Sequence, residues 1–152
     1  MAGRQYVGTC SWKYPSWEGL VYSSEKPANF LKEYSQKYAS VEIDQWFWSL
    51  FGTDKVVLPK ADTVKEYFYS VPDDFRFVIK APNSISLTHL YKTNKQEPLQ
   101  ENPHFLSSDL YESFLVAIGE MSSKVGAISL QFEYLNKLKM PSAQLFLDRF
   151  LA

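Results

Sequence analysis

Phe75-Arg76-Phe77-Val78-Ile79-Lys80, followed at once by Ala81-Pro82, is the stretch on which the fold turns. Its aromatic and β-branched residues read as a strand, and Pro82 closes it because proline has no N–H to give to a central ladder. Immediately upstream, a helix is expected around Thr63 to Ser70, bounded by Pro59 and Pro72. Further upstream, Ser40-Val41-Glu42-Ile43-Asp44 reads as another strand. It is preceded by a helix from Pro27 to about Tyr38, with Phe30, Leu31, Tyr34 and Tyr38 spaced to share a face. The first strand is Tyr6-Val7-Gly8-Thr9-Cys10, followed by a polar, aromatic loop through Trp12, Tyr14, Pro15, Trp17 and Gly19.

Downstream of Pro82 the pattern changes. Residues 82 to about 106 lack clear periodicity and read as one long loop over one face. Ser107 or Ser108 then caps a helix with Asp109 in its first turn and Leu110, Phe114, Leu115, Ile118 and Met121 as its buried stripe, ending near Lys124. Val125 to Phe132 forms a fourth strand, and Pro141-Ser142 opens a last helix with Leu145, Phe146 and Phe150 inward.

Strands alternating with helices, without a clear hairpin signal, imply right-handed crossovers and a parallel sheet. The expected class is α/β: a (βα)4 half of a TIM-type barrel, with an open doubly wound parallel sheet as the alternative. At 152 residues the chain is shorter than a closed eight-stranded barrel needs. One domain is expected over residues 1–152. No G-x-G-x-x-G follows the first strand and no G-x-x-x-x-G-K-[ST] occurs, so a nucleotide-binding doubly wound domain is poorly supported.

Composition narrows the function class. A net charge of −1 and a pI near 6.1 give no global basic field for non-specific nucleic-acid binding. Lys92, Lys95 and Arg76 are too sparse for a phosphate track. Cys10 is the sole cysteine, so no intrachain disulfide forms, and two histidines make no Cys/His zinc array. The N-terminus has no signal-peptide h-region and no eighteen-residue apolar run occurs, which points to a cytoplasmic protein without a membrane span. The chain has 4 Trp, 10 Tyr and 11 Phe; such rings supply buried area and also line ligand sites, and core filling should take most of them.

Gly8-Thr9-Cys10-Ser11-Trp12, then Tyr14-Pro15 and Trp17, Val41-Glu42-Ile43, Phe75-Arg76-Phe77, Lys80-Ala81-Pro82, Thr88-His89 and Leu130-Gln131-Phe132 occur in that order across nearly the whole chain. In this set the chain resembles the YecE-like family of domains of unknown function (domain of unknown function 72). The resemblance implies a TIM-type barrel of which this chain carries only the first four βα units; it implies no reaction. Two departures stand out. The family pattern after the second strand runs Asn-Ser-Thr-Phe-Tyr where this chain has Asp44-Gln45-Trp46-Phe47-Trp48, and Glu133-Tyr134 replaces the prolines usual after Gln131-Phe132.

If the strands are parallel, their carboxyl ends bring Ser11, Trp12, Glu42, Asp44, Lys80 and Gln131 to one rim, where barrel enzymes place their sites. Alternation puts Glu42 and Asp44 on one side of their strand, where both approach Lys80. One carboxylate then serves as general base while Lys80 binds an anion; the plainer account is an ion pair that fixes strand register. His89, in the long loop, is a candidate acid, base or ligand, against the simpler account of an exposed loop histidine. His104 reads as structural or exposed, and Cys10 as a small buried thiol rather than a nucleophile. Trp12, Tyr14 and Trp17 form a candidate stacking platform for a base or sugar, against a hydrophobic cap over the barrel end. A divalent cation such as magnesium suits the two carboxylates, with no metal-ligand set assigned.

Two functions follow. One is an enzyme-like barrel binding an anionic or phosphate-bearing small molecule or nucleic acid at the carboxyl rim, with hydrolysis as a candidate reaction. The other is a non-catalytic binding or self-assembly module, a homo-oligomer formed through exposed sheet edges.

Overall fold

A computed structural model of the chain describes residues 5–52, 54–92 and 94–152. Four strands form one parallel sheet: β1 (Gly8–Thr9), β2 (Ser40–Ile43), β5 (Arg76–Lys80) and β6 (Val125–Ser129), in the spatial order β1-β2-β5-β6. The order follows the chain without a reversal, whereas a doubly wound sheet reverses at a switch point. Between β2 and β5 the chain inserts an antiparallel pair, β3 (Leu50–Phe51) and β4 (Lys55–Val56). The sequence carried no hairpin expectation here. The two strands have two residues each, too short for alternation to register, and Gly52 supplies the left-handed φ of +65° that starts the turn.

Register decides which residues the helices cover. Val41 pairs with Phe77 and Ile43 with Ile79, and all four are fully buried. They share one cluster with Leu31 and Tyr34 of α1 (Phe30–Tyr34), Val64 and Tyr67 of α2 (Ala61–Ser70), and Phe114 of α4 (Ser108–Ala117). The alternate residues Glu42, Val78 and Lys80 point to the opposite face. That face is open, with a depression of about 460 Å³ lined by Tyr6, Ser40, Arg76, Val78 and Ala127.

The elements are shorter than periodicity suggests, for local reasons. Asn29 caps α1, its Oδ1 accepting from Lys32 N at 2.9 Å, so the helix starts past Pro27. Helix α4 is capped by Ser107 and stops at Ala117. From Gly119 to Lys124 the chain tightens into a 3-10 helix, glycine being a poor residue for continuing an α-helix. Across α4 and this turn Phe114, Ile118 and Met121 are buried, but Leu115 is exposed, contrary to the expected stripe. The last helix, α5 (Ala143–Leu151), sets Phe146 and Phe150 edge-on to Phe132, but Phe150 is exposed rather than inward, because the helix end has no layer packed over it. Among the described residues no helix is long and apolar enough to cross a membrane.

The 82–106 stretch is the largest correction. Its first part is not a loop lying over the surface: it opens with a short helix, α3 (Asn83–Ser86), and every residue from Ala81 to Leu90 is buried, whereas the described residues between 91 and 101 are mostly exposed and without helix or strand, as expected. Polar side chains are inside because they satisfy backbone. Asn102 Nδ2 donates to Ser84 O and Leu87 O at 2.8 and 2.7 Å.

Two side chains tie helices to the sheet. The Tyr34 hydroxyl accepts from Thr9 N at 2.9 Å and donates to Ser40 O at 3.0 Å, bridging β1 and β2. Gly8 permits that approach, since a Cβ there would lie 1.9 Å from Ser40 O. Lys124 is buried, and its Nζ donates at 2.8 Å to Phe68 O and to Val71 O at the end of α2. Its carboxylate partner Asp73, 3.4 Å away, is fully exposed, so the carbonyl contacts outweigh the ion pair. Lys124→Met is therefore expected to cost about 1–3 kcal/mol by orphaning buried carbonyls, while Asp73→Ala leaves the urea midpoint nearly unmoved. Equal losses from both substitutions would put the ion pair first and refute this ranking.

Candidate functional site

The carboxyl ends of β2, β5 and β6 carry the candidate site, and a buried polar seam fixes the segments that leave them. Asn83, just past β5, turns its Oδ1 toward the segment after β2, accepting from Ser49 N, Ser49 Oγ and Leu50 N at 3.0 to 3.1 Å. Asn83 N donates to Phe47 O at 2.7 Å, and the Ser49 and Ser84 hydroxyls meet at 2.9 Å. One amide side chain thus locks two connections. Sequence polarity hid it: Asn83, Ser84 and Asn102 look like loop residues, and only their burial marks them as a scaffold.

On this frame Lys80 Nζ lies 3.2 Å from Glu42 Oε1, both side chains about a quarter exposed or less. Lys80 Nζ also stands 5.6 Å from the centre of the Phe47 ring. Asp44 does not complete the expected pair of carboxylates on Lys80. It lies past the end of β2, with its backbone oxygen accepting from Phe47 N. Its charge faces Tyr14 instead, among the smaller of the effects that raise that phenol's pKa, burial being the largest. Ser11 is half-buried and Gln131 exposed at the same end.

Trp12 is 2% exposed and sits edge-on to Tyr67, with ring centres 5.1 Å apart. Packing consumes its indole, so of the three expected platform rings Tyr14 and Trp17 alone reach the surface, in contact with each other at 4.6 Å. A different pair stands free at the rim. Trp48 and Tyr91, 62% and 60% exposed, face each other at 6.4 Å, and Phe47 meets Trp48 edge-on at 5.1 Å. In the sequence Trp46-Phe47-Trp48 looks like core; Trp46 and Phe47 are, and Trp48 is not.

Cys10 is exposed, correcting the expected buried thiol. His89 is buried, correcting the exposed loop histidine, and its Nδ1 lies 3.0 Å from Thr88 Oγ1. Thr88 Oγ1 in turn donates to Glu133 Oε1 at 2.8 Å, and Lys139 pairs with Glu133 Oε2. His104 Nε2 lies 3.2 Å from Asp54 O. Among the described residues no three His, Cys, Asp or Glu side chains are grouped to hold a metal ion, so the expected divalent cation finds no ligand cluster.

Residues 6–152 match the family model described as a protein of unknown function, DUF72. The chain belongs to the DUF72 family. It is 27% identical over 144 residues to the UPF0759 protein YecE of Escherichia coli K12, and equally to that of Escherichia coli O157:H7. Each match covers 94% of this chain and 43% of the relative. A crystal structure of a DUF72 family protein from Enterococcus faecalis V583 superimposes with a TM-score of 0.56 at 22% identity, over 95% of this chain and 46% of that one. The likeness extends to the fold, and the chain spans less than half the length of the curated relatives it matches.

Aromatic burial near the site sets an alkaline limit. Tyr22, buried and donating to Trp12 O, has its pKa pushed up from 10.0 to about 12, chiefly by burial. Tyr34 and Tyr67 are raised as well, again chiefly by burial. The folded state holds these protons to higher pH than the unfolded chain, so their contribution is whole below the ordinary tyrosine pKa and is lost as pH rises through the raised ones. Urea midpoints should fall as pH climbs from the ordinary value of 10.0 toward about 12. A midpoint that stays level across that range counts against buried, neutral tyrosines.

Proposed function

We propose that the chain is the first (βα)4 half of a TIM-type barrel and binds a phosphate-bearing small molecule or other anionic ligand at the carboxyl rim of its strands. The observation that carries this reading is Lys80, held between Glu42 and Phe47 at the end of β5, with the exposed Trp48 and Tyr91 rings beyond Phe47. An ammonium group has three donors and Glu42 Oε1 takes one, which leaves donors for an anion. Exposed rings beside a cation suit a ligand with a planar part and a charged part. Strand order supports the barrel half, since sequential parallel strands with right-handed crossovers are how a barrel begins. Glu42, partly exposed beside Lys80, is one carboxylate at the rim suited to act as a base in a hydrolytic reaction.

Titration with adenosine monophosphate and with inorganic phosphate, followed by tryptophan fluorescence and calorimetry, tests the reading. Lys80→Ala should weaken both by about tenfold or more, the scale of a charge-assisted hydrogen bond. Trp48→Ala should weaken the nucleotide and leave phosphate unchanged. If neither ligand saturates the parent protein, the rim is not an anion site.

A second reading rests on the open sheet face. All-parallel sheets occur almost only with both faces covered, yet here Val78 and Ala127 line an open depression. A second copy that covers this face, or pairs along the β1 and β6 edges, would give a homo-oligomer. Light scattering across a concentration series should then show a dimer that Val78→Lys converts to monomer. A parent protein monomeric at every concentration refutes it.

A further inference from the structure

We propose that His89 is a proton acceptor at the carboxyl rim, its Nε2 lone pair held available by a relay through Thr88 and Glu133. Donor and acceptor counts fix the tautomer. A carboxylate only accepts, so the 2.8 Å contact between Thr88 Oγ1 and Glu133 Oε1 consumes the single hydroxyl hydrogen of Thr88. Thr88 N also donates to Oε1, at 3.3 Å, and Lys139 occupies Oε2. The Thr88 oxygen therefore has only lone pairs to offer His89 Nδ1, 3.0 Å away, and Nδ1 must carry the hydrogen. In the neutral ring Nε2 is then bare. Among the described residues it has no hydrogen-bond partner.

The surroundings hold this arrangement still. Thr88 and His89 are 5% and 8% exposed, so water competes weakly for the relay. Their backbone is pinned by Asn102 N donating to Thr88 O at 3.0 Å, by Leu90 N donating to Gln100 O at 2.9 Å, and by a bridge from His89 to Glu101. The relay joins the segments that follow β5 and β6, at the end of the sheet that carries Glu42 and Lys80. When an O–H group gives its proton to Nε2, the oxygen keeps the bond pair and becomes the nucleophile. The ring becomes an imidazolium whose Nδ1–H still points along the relay to a carboxylate. Thr88 and Glu133 are positioning residues; His89 is the group that receives the proton. The rim reading is needed only to say which O–H group donates it, and the state of His89 is measured without ligand.

His104 gives an internal contrast. Its Nε2 faces the Asp54 carbonyl at 3.2 Å, and a carbonyl only accepts, so neutral His104 carries its hydrogen on Nε2. These are the chain's two histidines. Long-range proton–nitrogen correlation spectra above the imidazole titration range should show opposite tautomers, Nδ1–H for His89 and Nε2–H for His104. Thr88→Val and Glu133→Ala should each turn His89 into a mixture while His104 stays unchanged, so that one variant suffices if the other fails to fold. Diethyl pyrocarbonate should acylate His89 at Nε2 several-fold faster in the parent than in either variant. An Nε2–H His89 in the parent overturns the proposal, as does a tautomer indifferent to both substitutions. The correct tautomer with no acylation at His89 overturns it too, because the lone pair would then be closed to any substrate. A rim that binds no phosphate, with these spectra as expected, would sink the anion site alone.

Discussion

The parallel register of β2 on β5 is the constraint from which the rest follows. With Val41 beside Phe77 and Ile43 beside Ile79, one face becomes a continuous apolar strip, and three helices close over it. The same register sends Glu42, Val78 and Lys80 to the other side. Glu42 pairs in the ladder with Val78, so Lys80 sits on its diagonal and the side chains meet at 3.2 Å. A slip of one residue in either strand would turn that strand's charge toward the helices and expose two of the four large apolar side chains, Val41 and Ile43 or Phe77 and Ile79. The ion pair and the core therefore depend on a single alignment. Hydrophobic burial has much the larger stake in it, because a partly exposed ion pair contributes on the order of 1 kcal/mol or less.

What register does for the strands, buried amides do for the connections. Asn83 satisfies three donors from the chain after β2, and Asn102 binds two carbonyls of the segment after β5. A buried polar group left unpaired costs about 1–3 kcal/mol, so each such amide is costly to remove and strongly specifies one loop arrangement. This is why Phe47, Trp48 and Thr88 have fixed places at the rim although none lies in a strand. Ser86 is the exception: its hydroxyl is buried without a partner among the described residues.

Most of the fold was legible because strands and helices write their periods into side-chain order. Ser40 to Ile43, Arg76 to Lys80 and the helix ending at Ser70 fell where alternation and proline boundaries put them. The segment from Ala81 to Leu90 did not, because hydropathy treats asparagine, serine and threonine as surface residues and cannot count the backbone groups they will satisfy. The β3–β4 pair was too short to show a period. At the site, Glu42 with Lys80 was readable from alternation. Asp44 was not, since it lies beyond the last ladder residue, where the rule of two no longer holds. Trp12 and Trp48 exchanged expected roles for a related reason: ring type is visible in a sequence, but the side on which a loop residue emerges depends on contacts such as Asn83 N to Phe47 O.

The polar groups at the rim divide by how much of their bonding capacity the fold has already used. Lys124 and the Asn83 carbonyl spend their bonds mainly on backbone groups, and that is their part in the fold. Lys80 has one carboxylate contact for three donors, and His89 has one ring nitrogen engaged and one bare. Groups with capacity to spare, on a backbone that cannot readily move, are what a binding site requires, since a ligand then meets donors and acceptors already in place. Both are fixed from below by the carboxylates Glu42 and Glu133, on β2 and just past β6. Each carboxylate contacts, directly or through Thr88, a side chain of β5 or of the segment that follows it, so the groups with spare capacity lie on one stretch of chain and its neighbours orient them.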